Sequence, residues 1–188
     1  RLSTVFERLS AAHLKLKPKK CFLFQKQILY LGHVVSCDGI SCDPEKAAAV
    51  EKWSAPRTVK QLRTFLGTVG YYKRFIANYA DLCKPLYELT KKNAKFYWGE
   101  DCESSFQTLK QRLVSAPVMA YPRSDGQYVL DTDASAFAIG GVLSIRTTGE
   151  NGDQEERVVS YASRVLQPRE TRYCTRRREL LAIVEFVK

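Results

Sequence analysis

Apolar residues recur at helical spacing near the start of the chain, at Val5, Phe6, Leu9, Ala12 and Leu14, and Pro18 closes the run. This predicts an amphipathic helix over residues 3–14. The rhythm then changes: Lys15, Lys17, Lys19 and Lys20 surround Leu14 and Leu16, an alternation that favours a strand or extended arm with one basic face. Residues 21–42 read as short strands, because CFLFQ and ILYLGHVVS are rich in aromatic and branched side chains. Asp38-Gly39 supplies a tight hairpin turn before Ile40, and Gly32 interrupts the second strand as a bulge or a point of close backbone approach.

Residues 43–92 switch to the helical period. Asp43-Pro44-Glu45 combines an N-cap acceptor, a first-turn proline and an acid at the positive end of the dipole. That helix runs through Ala47, Val50 and Trp53 to a break at Ser54-Ala55-Pro56. Thr58 and Gln61 form a capping box, after which Leu62, Phe65, Leu66 and Val69 share one face and Gly67 and Gly70 permit close helix approach. A third helical piece near 79–92 must start, bend or break around Pro85. Another helix is expected within 96–116, with Cys102, Phe106, Leu109 and Leu113 as one stripe; the stripe reads as core, with base stacking as the alternative. From 127 onward the segments YVLDTD, AIGGVLSIR and RVVSYAS are strands, with a polar loop at 147–156, and a helix follows from about Thr171. Three strands and an apolar helix imply an antiparallel sheet with a helix on its face, within a mixed α/β (α+β) chain.

Charge divides the chain. Residues 1–99 hold 18 Lys+Arg against 7 Asp+Glu, and residues 100–188 hold 12 against 13, so the net +10 resides in the first half. A polyanion-binding surface on that half follows, although surface lysines also serve solubility. At 45% hydrophobic the chain can build a core, and no uninterrupted apolar run approaches the roughly 20 residues that span a bilayer. The six cysteines show no CxxC pair. Free thiols in a reducing, intracellular setting are the main reading, and a zinc site from His33, Cys37 and Cys42 is the alternative. The chain opens at Arg1, has Met119 as its one methionine and stops just after the apolar run LLAIVEFV. Both ends therefore read as cuts through a longer reading frame.

Two segments carry chemistry. Asp131-Thr132-Asp133-Ala134-Ser135 places carboxylates where a strand meets small residues, and Arg176-Arg177-Arg178-Glu179-Leu180 places one in the first turns of an apolar helix. Two carboxylates gathered inside a fold repel unless a cation lies between them, and Mg2+ takes such hard oxygen ligands. That arrangement suits two-metal phosphodiester hydrolysis. On spacing alone the plainer reading is favoured, in which Asp133 caps a turn and Glu179 pairs with a neighbouring arginine.

The order TDAS, AIGGVLS, VVSYASR and YCTRRRELLAIVEF resembles the ribonuclease H domain of gypsy-type long-terminal-repeat retrotransposon polyproteins. Upstream, LKLKPKKC, YLGHVVS-CDGI, DPEKAAAVEKW, TVKQLRTFLGTVGYYKRFI and KPLYELTKK resemble the same polyproteins in the same order. The resemblance implies a fragment of an RNA-directed DNA polymerase with ribonuclease H activity, binding primer-template and RNA–DNA hybrid and using Mg2+. It implies four parts: residues 1–42 as the end of the palm with the primer-grip hairpin, 43–95 as a helical thumb, 96–124 as a connection, and 125–188 as the truncated start of a ribonuclease H-like fold. Asp133 and Glu179 match metal-binding carboxylates, whereas Asp131 does not match a catalytic position. Tyr30, Leu31, Gly32 and His33 match the primer grip, where a side chain on residue 32 would keep the nucleic-acid backbone away. Lys60, Arg63, Lys73 and Arg74 are thumb candidates for phosphate contact, with solvated helix charge as the default reading.

The paired-aspartate polymerase signature is expected before residue 1 and a further ribonuclease H aspartate beyond residue 188, so this piece alone is expected to be inactive. The other implied partner is the remainder of the polyprotein, with no membrane, in an intracellular retroelement particle of the cytoplasm or the nucleus. Two rivals remain: a non-catalytic nucleic-acid-binding remnant of a decayed or co-opted element, and a structural interaction protein that keeps only the helical bundle.

Overall fold

The computed structural model describes residues 1–148 and 153–188, and the centre of the polar loop expected at 147–156 lies outside them. Helix α1 (Leu2–Ala11) buries no residue. The lysine-rich arm after it is irregular apart from one 3-10 turn at Pro18–Lys20. CFLFQ, expected as a strand, is not one: Phe24 takes a left-handed φ of 57° and is 91% exposed. Pairing begins only with β1 (Gln27–Tyr30), which joins β2 (His33–Ser36) and β3 (Ile40–Cys42) in an antiparallel sheet. Gly32 is therefore not a bulge. Leu31 (φ 49°) and Gly32 (φ 74°) are the two-residue turn between β1 and β2. This agrees with the positive φ at both central positions that such hairpins need.

Four helices follow. In α2 (Pro44–Glu51) the Asp43 carboxylate accepts from the Glu45 amide at 2.9 Å. In α3 (Val59–Tyr71) Thr58 Oγ1 accepts from the Gln61 amide, while Gln61 Oε1 accepts from Arg57 N rather than from the cap residue itself. Helix α4 (Tyr79–Glu88) runs through Pro85, which gives up one intrahelical hydrogen bond without ending the helix. Helix α5 (Glu100–Val114) has three acids in its first turn and packs against α2 and α4. Val50, Leu62, Phe65, Val69, Leu86, Phe106 and Leu109 form one core, with the Phe65 and Phe106 rings 4.6 Å apart. The Cys102–Leu113 stripe lies in this core, as expected, and the division expected at residue 95 falls inside it. Gly70 packs against the Tyr79 hydroxyl, but Gly67 meets nothing and faces solvent.

The second sheet has the order β4 (Gln127–Ala134), β5 (Ala138–Thr148), β6 (Gln154–Val165), antiparallel throughout. Helix α6 (Thr175–Val187) covers one face, where Phe186 lies over Gly141 and Ala182 packs with Ile139 and Leu166. Arg164 of β6 holds buried Glu170 at 2.9 Å and Glu185 of α6 at 3.1 Å, fixing the approach to that helix. The opposite face lies against the helical core, with Val158 and Tyr161 packed on it.

Residues 119–121 stitch the two sheets together. Ile40 and Met119 exchange two backbone hydrogen bonds, Ala120 N donates to Val158 O, and Tyr121 Oη donates to Ser36 O at 2.8 Å. Gly39 makes this approach possible, since its φ is 143° and an added Cβ would lie 2.1 Å from Met119 O. Gly39→Ala should therefore destabilise by about 1–3 kcal/mol from strain alone, with the backbone clash in addition. Urea unfolding of the variant and of wild type measures this, and an unchanged midpoint would show that the seam is not tight.

Candidate nucleic-acid interface and carboxylate site

The turn at Leu31–Gly32 is held from outside its own hairpin. Tyr71 Oη donates to Leu31 O at 2.5 Å, and Tyr72 Oη donates to Gly32 O at 2.9 Å. An added Cβ on Gly32 would meet the Tyr72 hydroxyl at 3.1 Å, so the glycine serves its positive φ and this close contact. Burial, then the charges of Cys42, Asp43 and Tyr71, push the Tyr72 hydroxyl up to about 12, so it stays a donor. His33 stacks on Tyr71 with centroids 5.3 Å apart and touches Tyr72 and Phe75 edge-on or tilted. Its buried Nδ1 has no hydrogen-bond partner. Tyr30 and Leu31 remain exposed. His33 faces Cys42 across the strand pair, whereas Cys37 lies at the other end of β2, so the alternative zinc trio is not brought together. All six cysteines are free.

The basic candidates behave differently from one another. Lys60, Arg63, Gly67 and Tyr71 are all exposed and fall on one side of α3, a stripe that ends at the Leu31–Gly32 turn. Arg63 also donates to Thr90 O at 3.2 Å, and Lys73 is exposed. Arg74 is half-buried, donates to Val159 O and lies over the Phe75 ring, so it braces the helical core against β6. The sequence pattern marked Gly67 for helix packing, not as part of an exposed stripe with Tyr71. Their signal was available only once the helix was known to be free on that side.

Asp133 is the penultimate residue of β4 and exposed, and its Oδ1 accepts from the Ala134 amide. It sits opposite Gly140, whose open side meets Asn78, while the neighbouring pair Thr132–Gly141 faces α6. Glu179 is half-buried one turn before Ala182, on the side of α6 that packs on β4 and β5. The pleat thus directs the two carboxylates to opposite faces of β4. Among the described residues no group of three or more His, Cys, Asp or Glu is arranged to hold a metal ion. The donors are hard oxygens, right in kind for Mg2+, and fewer than a closed site needs. Asp131 is exposed two residues earlier on the pleat face of Asp133. No helix among the described residues is long and apolar enough to cross a membrane.

Residues 98–188 match the family described as "RNase H-like domain found in reverse transcriptase". Over 97% of its length the chain is similar to Drosophila melanogaster retrovirus-related Pol polyproteins, at 38% identity for transposon 297 and 35% for transposon gypsy. It is 32% identical to the Tf2-3 transposon polyprotein of Schizosaccharomyces pombe. The chain spans only 16%, 18% and 14% of those three relatives. Foamy viral protease-reverse transcriptase structures share the fold: one in complex with double-stranded DNA at TM-score 0.79 and 21% identity, and one with an RNA/DNA hybrid at 0.77 and 22%. Each covers 99% of this chain, which spans 32% and 25% of theirs.

Burial and the Arg74 charge lower the pKa of His33 from its ordinary 6.5. The unfolded chain then binds more protons than the folded one below pH 6.5, so the stability from this neutral ring is complete above that pH. It is lost as pH falls through the lowered folded value. Imidazole NMR, with His33→Gln to assign the two histidine signals, should show His33 titrating below 6.5. Titration at or above 6.5 would contradict the packing described.

Proposed function

We infer that residues 98–188 are an RNase H-like domain of the kind found in reverse transcriptase, within a chain similar along nearly all its length to retrotransposon Pol polyproteins. From that premise we propose that this segment supplies the primer grip, the thumb and the first nuclease elements of an RNA-directed DNA polymerase that also cuts RNA in an RNA–DNA hybrid. The observation that carries the reading is the exposed α3 stripe of Lys60, Arg63, Gly67 and Tyr71 meeting a hairpin turn whose carbonyls are bonded by Tyr71 and Tyr72. A cationic stripe with a bare glycine at its centre is a surface along which a phosphate backbone can lie close, and backbone contacts position without reading sequence. In this proposal residues 1–42 end the palm, 43–95 are the thumb, 96–124 the connection and 125–188 the opening of the ribonuclease H fold. Lys60, Arg63 and Lys73 contact phosphates, and Tyr30, Leu31, Gly32 and His33 hold the primer end.

Asp133 and Glu179 are the residues that would hold Mg2+ in the complete domain. When bound, the metal supplies an activated water and neutralises charge at the scissile phosphate. The chain's own part is placement: β5 fixes the Asp133 end of β4, and Ala182 and Phe186 seat α6 so that Glu179 stands at the sheet.

The test uses the reverse transcriptase that contains this segment, assayed for both hybrid cleavage and primer extension. Asp133→Asn keeps the shape and removes the charge. Cleavage should fall by about 10²-fold or more, the scale for losing one charge-stabilising group, while primer extension persists. Asp131→Asn is the control on the same pleat face. Loss of cleavage only in Asp131→Asn would move the metal ligand by two residues, and normal cleavage in both variants would remove the nuclease reading.

A further inference from the structure

The turn that follows Asp133 is gripped by the thumb-side helix α4. Ser135 Oγ lies 2.8 Å from Asp81 Oδ1 and 3.1 Å from Ala138 O, and it accepts from the amides of Phe137 at 3.0 Å and Ala138 at 2.9 Å. A hydroxyl has one proton to give. Ala138 O already accepts from Ser135 N at 2.9 Å, so the proton goes to the nearer Asp81 carboxylate. One turn along α4, Lys84 Nζ stands 2.7 Å from the centre of the Phe137 ring. On the other side, Ala80 N donates to Ser163 Oγ at 3.0 Å, and Asn78 lies against Gly140, the strand partner of Asp133. Asp81 and Lys84 therefore hold the turn that ends β4, while Asn78 and Ala80 of the same segment meet β5 and β6 on the face toward which Asp133 points.

We infer that Asp81 is a positioning residue for the nuclease reaction: through Ser135 it fixes the 135–138 turn and so aims the Asp133 carboxylate. The inference rests on the reading of Asp133 as a metal ligand. Asp81 touches neither metal nor substrate in this scheme. It acts by holding a hydroxyl that organises two backbone amides, and Ser135 in turn sets where the strand stops and bends. Misplacing a catalytic group by about 1 Å can cost up to about a hundredfold in rate. Binding of the hybrid depends on a different surface and should not change.

The experiment compares wild type, Asp81→Ala, Asp81→Asn and Asp133→Asn in the same whole reverse transcriptase, measuring kcat and KM for hybrid cleavage, primer extension and thermal midpoint. Asp81→Ala should lower the kcat of cleavage about tenfold with KM and primer extension within about twofold. Asp81→Asn keeps an oxygen that accepts from Ser135, and should restore most of the lost rate. If Asp81→Ala cleaves like wild type while Asp133→Asn is inactive, the inference is overturned and the nuclease reading stands. If Asp81→Ala loses primer extension and thermal stability in step with cleavage and Asp81→Asn gives no rescue, Asp81 is only structural and the inference is again overturned. Wild-type cleavage by Asp133→Asn overturns the reading on which both depend.

Discussion

Helix α4 has two buried sides, and the rest of the molecule is arranged by that. Cys83 and Leu86 are fully buried in the helical core beside α5, and Tyr79 lies under Gly70 of α3. Ala80, Asp81 and Lys84 run along the second sheet. A ten-residue helix seldom satisfies both a core and a sheet, because the sheet side must offer partners for its polar groups. Here Ser135 and Ser163 provide them. Burial pushes the Cys83 thiol up to about 12 and the Tyr79 hydroxyl above its ordinary range, so neither ionises near neutral pH.

What could be read in advance follows from what is local. Helices α2 and α3 announce themselves by caps and by a 3.6-residue rhythm, and both begin where Asp43 and Thr58 placed them. Phe22, Leu23 and Phe24 have strand-like chemistry, but a strand needs an edge to pair with, and the pairing begins only at Gln27. Gly32 was noticed as a bulge or a point of close approach; it forms the turn, and the close approach comes from two tyrosines forty residues away. In the candidate site, Asp133 and Glu179 came from resemblance, not from spacing. Asp81 carries no motif at all, and its partner lies 54 positions away.

The uneven charge also takes a more particular meaning once side chains are placed. Of four basic candidates on the helical half, Arg74 is committed to Val159 and Phe75, and Arg63 shares itself with Thr90. Lys60 and Lys73 stay exposed. Net charge thus overstates the number of residues available to phosphates, because arginines with planar forks are also useful as internal braces. A salt dependence smaller than the formal charge would be the physical consequence.

On the proposed reading, an enzyme that extends one strand and cuts the other must keep the hybrid in a fixed relation to both sites. The chain offers a continuous path for that relation. Tyr71 and Tyr72 tie the grip turn to α3, and α3 packs on α4 through Gly70 and Tyr79. Asp81 ties α4 to the turn beyond Asp133. Residues 119–121 close the circuit by joining β3 to β6 directly. Each link is a hydrogen bond or a close contact between neighbouring elements, so the grip turn and the end of β4 are joined by contiguous packing. The separation between holding and cutting is then a property of the fold rather than of the hybrid, and sequence-independent backbone contacts are sufficient to use it.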